Sequence, residues 1–322
     1  MSVKQDYPCG EAGSGHPEEE NHDSGPLAEL VTVRDCLRYA VSRFNRAGIF
    51  CGHGTGNTFD EAVWLILATL TLPPDRLEPF LDACIPSDER VTLFENIERR
   101  AGERIPTAYL VQEAWLGAYR FYVDERVIVP RSWFAELLDD DAFSPWTGDP
   151  ETVTSALDLC TGSGCLAILM ADAFPNADIV AADLSADALA VAQRNIAEHE
   201  LNDRIEPVQS DVFGSLGSRL FDLILCNPPY VTTESMEKLP PEYLHEPALA
   251  LAAGEDGLDI VRRLISEAAR HLHPSGVLAV EVGHNQELVE NAFPELPFTW
   301  LTARCGVDGV FVLKRENLPD AA

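Results

Sequence analysis

The stretch DLCTGSGCLA, residues 158–167, joins an apolar run to a predicted helix and decides the fold class. Gly162 and Gly164 permit a tight turn, and the first N–H groups of the following helix point toward whatever binds there. Asp183 ends the next predicted strand, where a carboxylate can accept hydrogen bonds from both hydroxyls of a ribose. The pattern predicts a nucleotide-binding turn, and taken alone it also satisfies the dinucleotide fingerprint.

Strands and helices alternate after this turn, which predicts a parallel, doubly wound α/β sheet. Two last runs, 298–303 and 309–314, are joined by only a few residues around Gly306. A link this short cannot form a right-handed crossover, so these strands must pair antiparallel. The predicted strands before them are 155–160, 177–183, 204–210, 221–226 and 276–282, and the predicted helices are 164–173, 186–198, 257–272 and 286–293.

Two features favour S-adenosylmethionine over NAD as the nucleotide at this turn. Asp158 places an acid where the positively charged methionine part would lie, and the sheet ends in an antiparallel pair. A glycine turn that only connects a strand to a helix is the alternative without any ligand.

The second decisive stretch is Asn227-Pro228-Pro229-Tyr230, which follows the apolar run 221–226 directly. Two consecutive prolines end the strand and fix the turn. Together the two motifs resemble the class I methyltransferases that methylate an exocyclic or amide nitrogen. The resemblance implies a Rossmann-like sheet of seven strands whose last pair is reversed.

The resemblance also implies roles for individual residues. Asn227 and the carbonyl of Pro228 would accept the two N–H protons of the target nitrogen, Pro229 would fix the turn, and Tyr230 would pack against the planar target group. Asp211 would hold the adenine amino group, with Val212 against the ring. The cofactor contacts implied in this way are Asp158, Thr161, Gly162, Ser163, Gly164, Cys165, Asp183, Asp211, Val212 and Asn227.

The chain before this domain divides into three parts. Residues 1–25 are rich in Gly, Pro, Ser and Glu and predict a flexible acidic tail, because they hold too few apolar residues to offset ordering entropy. Residues 26–105 predict a small helical substrate-recognition domain, with helices in 27–47, 59–72, 76–85 and 88–101. Residues 106–131 predict a β-hairpin linker, extended from about 107 to 130 with a turn at residues 124–126, and the methyltransferase domain occupies 132–318.

The N-terminal half carries a resemblance to the HemK-like protein-glutamine methyltransferases. CGHGTGNTFDEAV, EAWLGAYRFYVDERVIVPRS and LPPEYLHEPALALAAGEDGLDIVRRL are similar to the branch that modifies a glutamine of large-subunit ribosomal protein three. The branch acting on release factors would carry PRPETE where this chain has PRSWFAE, residues 130–136. Release-factor methylation is the runner-up, and a ribosome-assembly binding protein with a vestigial site is the alternative from another class.

Composition restricts the partners. The chain has 53 acidic and 23 basic residues and a net charge of −30, which repels nucleic acid and attracts a basic protein. Salt adaptation is a second explanation of the acidity. No apolar run approaches the roughly 20 residues that cross a bilayer, so a cytoplasmic protein without membrane contact is expected. His271 and His273 lack further ligands at metal spacing, so no metal is predicted.

Overall fold

The structure is a computed structural model that describes residues 29–319. The predicted tail, residues 1–25, lies outside the described residues. The helical part contains α1 (Val33–Ala47), α2 (Thr58–Thr69), a 3-10 turn (Glu78–Phe80), α3 (Ser87–Gly102) and α4 (Thr107–Val111). Helix α1 begins at a capping box between Thr32 and Asp35 and ends at Gly48, whose φ of 59° supplies the left-handed C-cap. Apolar faces of the first three helices bury Phe44, Leu65 and Leu93 in one core.

The helix predicted over residues 76–85 is wrong, since only the 3-10 turn forms there. Residues 81–85, after that turn, form no helix and bond to the segment around the start of α1. The N–H groups of Val33 and Arg34, which a helix start leaves free, donate to the carbonyls of Ala83 (3.2 Å) and Leu81 (2.9 Å). Leu77 and Leu81 still pack against the helical core. The apolar spacing therefore predicted burial correctly but the backbone conformation incorrectly.

The linker is also less extended than predicted. Residues 107–111 form α4, which begins after Pro106 and ends at Gln112 with φ of 54°. A two-stranded hairpin does follow, with β1 (Ala114–Leu116) antiparallel to β2 (Tyr119–Phe121). After Phe121 the chain runs to residue 131 without a strand. The hairpin is confirmed, while the extended conformation predicted for 107–111 is wrong. The predicted turn at residues 124–126 also forms, with the N–H of Val127 donating to the carbonyl of Asp124 at 3.1 Å, but no strand flanks it.

The second half is the expected α/β domain. Its elements are α5 (Phe134–Asp139), α6 (Ser144–Thr147), β3 (Ser155–Leu159), α7 (Cys165–Ala173), β4 (Asp178–Asp183), α8 (Ala186–Glu198), β5 (Ile205–Gln209), β6 (Phe221–Cys226), α9 (Thr233–Met236), α10 (Asp259–Glu267), β7 (Leu272–Glu281), α11 (Gln286–Ala292), β8 (Thr299–Thr302) and β9 (Asp308–Lys314), with 3-10 turns at Pro150–Thr152, Pro241–His245, Ala248–Ala250, Ala268–Arg270 and Arg315–Asn317.

The strands of the sheet lie in the order β5-β4-β3-β6-β7-β9-β8, and β9 is antiparallel to both of its neighbours. Strands β4 and β5 follow β3 toward one edge of the sheet, whereas β6 and β7 lie toward the other edge. The strand order therefore reverses between β3 and β6, and the carboxyl ends of these two strands form the topological switch point.

The helical part and the α/β domain meet through buried charges. Arg100 of α3 is fully buried and donates to Glu61 of α2 (2.7 Å) and to Glu242 of the α/β domain (3.1 Å). A buried guanidinium requires such partners, because an unpaired charge in the interior is strongly destabilising. The segment after the Asn-Pro-Pro-Tyr turn is thereby attached to the helical domain. Within residues 29–319, no helix combines the length and apolarity needed to cross a bilayer.

Candidate active site

A cavity of 230 Å³ lies at the carboxyl ends of β3, β4 and β6. The linker and the segment after the Asn-Pro-Pro-Tyr turn complete its walls. Of the residues predicted from the sequence, six line this cavity: Gly162, Asp183, Asp211, Val212, Asn227 and Pro229. The structure thus brings the two decisive stretches, which are separate in sequence, to one site at the switch point of the sheet.

A larger groove of 790 Å³ lies elsewhere, between α2 and the hairpin, with Trp64 and Trp115 in its walls. None of the residues predicted for the site lines it. The smaller cavity is the candidate site because the polar groups with chemical roles converge there.

The two glycines of the turn, Gly162 and Gly164, are needed for different structural reasons. Gly162 has a φ of 55°, and a Cβ added there would meet no atom within 4 Å, so protein does not fill the space beside it. Gly164 has a φ of 79°, and a Cβ there would lie 3.1 Å from the Cβ of Ala192. Gly164 therefore permits close packing of α7 against α8, while Gly162 keeps the cavity wall open.

Asp183 is held at the cavity by backbone donors. One carboxylate oxygen accepts from the N–H of Gly162 and the other from the N–H of Ser185, each at 2.9 Å. Burial raises the pKa of Asp183 above its ordinary value, although these N–H groups favour the charged form. Each oxygen can still accept a second bond, as ribose hydroxyls would require.

Asp158 lies behind the cavity wall instead of in it. Its carboxyl is fully buried, and one oxygen accepts from the hydroxyl of Thr161 (2.5 Å) and the N–H of Ala167 (3.0 Å). The other oxygen has no partner among the described residues. Burial raises the pKa of Asp158 to about 7. In this structure Asp158 ties the glycine turn to the start of α7, and Thr161, Ser163 and Cys165 likewise do not line the cavity.

Asp211 and Val212, which follow β5, contribute to the opposite wall of the cavity. Asp211 forms an ion pair of 2.6 Å with Arg263 of α10. Val212 is buried with a φ of 52°, and its carbonyl accepts from the hydroxyl of Ser210 at 2.7 Å. An apolar side chain beside a carboxylate is suited to a ring that carries an amino group, which was the prediction for these two residues.

The Asn-Pro-Pro-Tyr turn places its members differently. Asn227 and Pro229 line the cavity, Pro228 is buried, and the Tyr230 ring packs over Gly283, where an added Cβ would lie 2.7 Å from the ring. Burial raises the pKa of Tyr230 above its ordinary value. Tyr230 is therefore held in the domain and does not line the cavity, so its contact with a target group stays a prediction.

Three residues that lie outside the predicted catalytic and cofactor contacts support this turn: Arg131, Glu246 and Glu281. The amide nitrogen of Asn227 lies 3.4 Å from the carbonyl oxygen of Arg131. Glu281 is buried at the end of β7, accepts from Ser132 Oγ at 2.6 Å, and burial raises its pKa to about 7. The only available signal was the run LHEPALALAA after the turn, whose Pro247, Leu249 and Ala250 also line the cavity.

Trp133 and Phe134, which lie within PRSWFAE, have structural roles. The backbone N–H of Trp133 donates to Glu281 at 3.0 Å, and a Cβ added at Gly309 would lie 1.8 Å from its ring. Phe134 is fully buried in the core beneath the sheet.

Within residues 29–319, no group of three or more His, Cys, Asp or Glu side chains could hold a metal ion.

Comparison with known proteins shows that this chain is similar to methyltransferases. The model of the methyltransferase small domain family matches residues 149–254. Proteins named ribosomal protein uL3 glutamine methyltransferase match 90% of this chain, with 56% identity over 96% of the one from Neisseria gonorrhoeae and 53% identity over 97% of the one from Bordetella pertussis. Among solved structures, the hMettl16 catalytic domain with an RNA hairpin covers 73% of this chain and 83% of its own at a TM-score of 0.48 and 16% identity, which carries no argument about function.

The fold and the sequence similarity indicate the same family. The seven-stranded sheet has the reversed last pair of a class I methyltransferase, and the similarity covers 90% of the chain, so it includes the helical domain as well as the α/β domain. This chain is a methyltransferase and belongs to the family of ribosomal protein uL3 glutamine methyltransferases.

Proposed function

We propose that this chain transfers a methyl group from S-adenosylmethionine to the side-chain amide nitrogen of one glutamine in ribosomal protein uL3. The observation that carries the proposal is that Asp183 and Asn227 line the same cavity. The carboxylate of Asp183 is suited to the hydroxyls of a ribose, and the side chain of Asn227 is suited to an amide. Relatives that are 53 and 56% identical to this chain bear names with this substrate.

The residues around the cavity fit the cofactor. Asp183 has free acceptor capacity, Gly162 leaves room beside it, and Val212 and Leu184 provide apolar surface for a ring. When bound, S-adenosylmethionine supplies a methyl group activated by a positively charged sulfur. The unpartnered oxygen of Asp158 is buried behind this wall, where a carboxylate would favour a nearby positive charge.

The chain's own residues would orient the nucleophile. An amide nitrogen attacks poorly because its lone pair is delocalised into the carbonyl. If the side-chain oxygen of Asn227 and the backbone carbonyl of Pro228 accept the two N–H protons, the nitrogen is fixed with its lone pair toward the cavity. Such orientation accelerates a reaction without prior removal of a proton. One proton then leaves to water, because the substituted nitrogen has become acidic.

The test uses purified full-length protein, radiolabelled S-adenosylmethionine, and either uL3 or a peptide chain release factor. We expect label in uL3 alone, and mass spectrometry should place one added methyl on a glutamine. Asn227→Ala serves as the inactive control. Label only in the release factor would assign the chain to the runner-up activity, and label in neither protein, with cofactor bound, would indicate a binding protein.

A further inference from the structure

The orientation of the Asn227 carboxamide is fixed by a backbone group of the linker. Its nitrogen lies 3.4 Å from the carbonyl oxygen of Arg131. A carbonyl oxygen can only accept a hydrogen bond, so the amide NH2 must face Arg131 and the amide oxygen must face away from it. The proposed methyl transfer needs that oxygen as the acceptor of a substrate proton. The position of Arg131 therefore decides whether Asn227 presents the correct end.

Arg131 is itself held by one carboxylate. Its guanidinium donates to both oxygens of Glu246, at 2.5 and 2.7 Å, and this two-bond arrangement fixes the plane of the group. The same Glu246 oxygen that accepts the shorter bond also accepts from the backbone N–H of Val129 at 3.0 Å. Glu246 thus fixes both the side chain of Arg131 and the backbone two residues before it.

Glu246 is buried where the helical domain meets the linker. Its side chain is fully buried, and Nε2 of His53, from the glycine-rich loop of the helical domain, lies 3.6 Å from its second oxygen. The guanidinium of Arg131 lies over the ring of Tyr243, 5.3 Å from its centroid. Burial opposes ionisation of Glu246, but the hydrogen bonds and the charge of Arg131, together with the nearby His53, outweigh it, and the pKa of Glu246 falls to about 2. The carboxylate is therefore charged at any pH at which the protein works.

We propose that Glu246 is a positioning residue for methyl transfer: it fixes Arg131, whose carbonyl turns the oxygen of Asn227 toward the substrate amide. This inference rests on the proposed function. Glu246 does not touch the reacting atoms. Its effect is transmitted through the segment 129–131, and the Asn-Pro-Pro-Tyr turn alone is insufficient to orient Asn227.

A second glutamate provides a matched control. Glu242 lies four residues earlier, is also fully buried, and accepts from the N–H of Phe50 (2.9 Å) and from Arg100 (3.1 Å). Its partners belong to the helical domain. Replacement of either glutamate by glutamine removes one buried charge at the same junction, so both variants should lose stability. Only the replacement of Glu246 should disturb Arg131.

The experiment compares Glu246→Gln, Arg131→Lys and Glu242→Gln with the parent protein, using full-length chains. For Glu246→Gln and Arg131→Lys we expect kcat to fall about 10- to 100-fold, with KM for uL3 and the Kd for cofactor within about threefold, because misplacement by about 1 Å can cost this much rate. Glu242→Gln should keep kcat within about threefold. Thermal unfolding of all three variants separates loss of stability from loss of rate.

Two kinetic results would overturn the inference: a parent-like kcat in Glu246→Gln, or an equal loss in Glu242→Gln. A crystal structure of Glu246→Gln gives a readout independent of substrate, and we expect the Asn227 nitrogen to have left the Arg131 carbonyl. If the parent protein methylates nothing, the proposed function fails, and the crystal structure of Glu246→Gln alone decides whether Glu246 positions the side chain of Asn227. An unchanged contact between Asn227 and Arg131 would then refute it.

Discussion

The carboxylate of Asp183, at the end of β4, accepts a hydrogen bond from the backbone N–H of Gly162 at 2.9 Å. This bond joins the turn after β3 to the end of the neighbouring strand and fixes the distance between them. It also uses only one lone pair of the oxygen, so the carboxylate can bind the turn and a ligand together. The cavity edge is therefore formed before any ligand arrives.

Asp183→Ala should weaken S-adenosylmethionine binding about 10- to 150-fold, since hydrogen bonds to a charged group contribute about 1.5 to 3 kcal/mol. Isothermal titration calorimetry measures the Kd. Asp178→Ala, at the exposed start of the same strand, is the control and should bind like the parent. Unchanged affinity in Asp183→Ala, or tight NAD binding by the parent, would refute the assignment of the ribose site.

Asn227→Ala should lower methyl transfer to uL3 by about 100-fold or more while the cofactor Kd changes by no more than a few fold. The substitution removes one of two acceptors, so the substrate amide can rotate, and orienting interactions are worth this much in rate. Initial rates with labelled cofactor measure the effect. A turnover close to that of the parent would mean that Asn227 only shapes the turn.

The stability of the parent and of Asp158→Asn should respond differently to pH. The unfolded Asp158 carboxyl ionises near its ordinary pKa of 3.8 and the folded one near 7. Between these values the unfolded state releases a proton that the folded state keeps, so Asp158 lowers the stability of the parent as pH rises, and the variant lacks this contribution. The difference in free energy of unfolding should grow by up to about 4 kcal/mol from pH 4 to pH 8.

Urea unfolding at a series of pH values checks this difference. Asp178→Asn is the control, because that side chain is exposed. Stability curves of the parent and Asp158→Asn that stay parallel from pH 4 to pH 8 would contradict the raised pKa.

Gly164→Ala should destabilise the protein by about 1 to 3 kcal/mol, since it combines a strained φ with a crowded Cβ. The added Cβ would lie 3.1 Å from Ala192, on the adjacent helix. Gly217→Ala is a matched control, because Gly217 has a φ of 62° but no atom within 4 Å of an added Cβ. Thermal denaturation should show a larger loss for Gly164→Ala, and equal losses would exclude crowding as a cause.

Methylation of uL3 should slow as salt rises. The chain carries a net charge of −30, and a basic ribosomal protein would be steered to it until ions screen the attraction, over about 10 Å at 0.1 M salt. We expect kcat/KM for uL3 to fall steadily between about 0.05 and 0.5 M salt, because this rise shortens the screening length about threefold. The cofactor Kd is the control. An initial rise in activity would instead identify the acidity as salt adaptation.

The order of strands and helices in the α/β domain was predictable because each element carries its own periodicity. Asp183 and Asn227 could be placed at one edge because the carboxyl ends of parallel strands share it. Residues 76–85 were predicted wrongly since their non-helical conformation depends on bonds to residues 31–34, which the local pattern does not contain. The contact of Glu246 with Arg131 joins positions 115 residues apart, so the local sequence pattern could not predict it either.

The junction at Arg100 has a consequence for domain exchange among relatives. Its guanidinium pairs with one glutamate from each side of the boundary, Glu61 and Glu242, and Nε of Arg104, also in the helical domain, lies 3.3 Å from Glu242. A chimera that takes its helical domain from another branch must supply at least one cation to Glu242, or that carboxylate becomes a buried charge without a counterion. The specificity of this protein should therefore be transplantable only when the helical domain and the segment around Glu242 are exchanged as one unit.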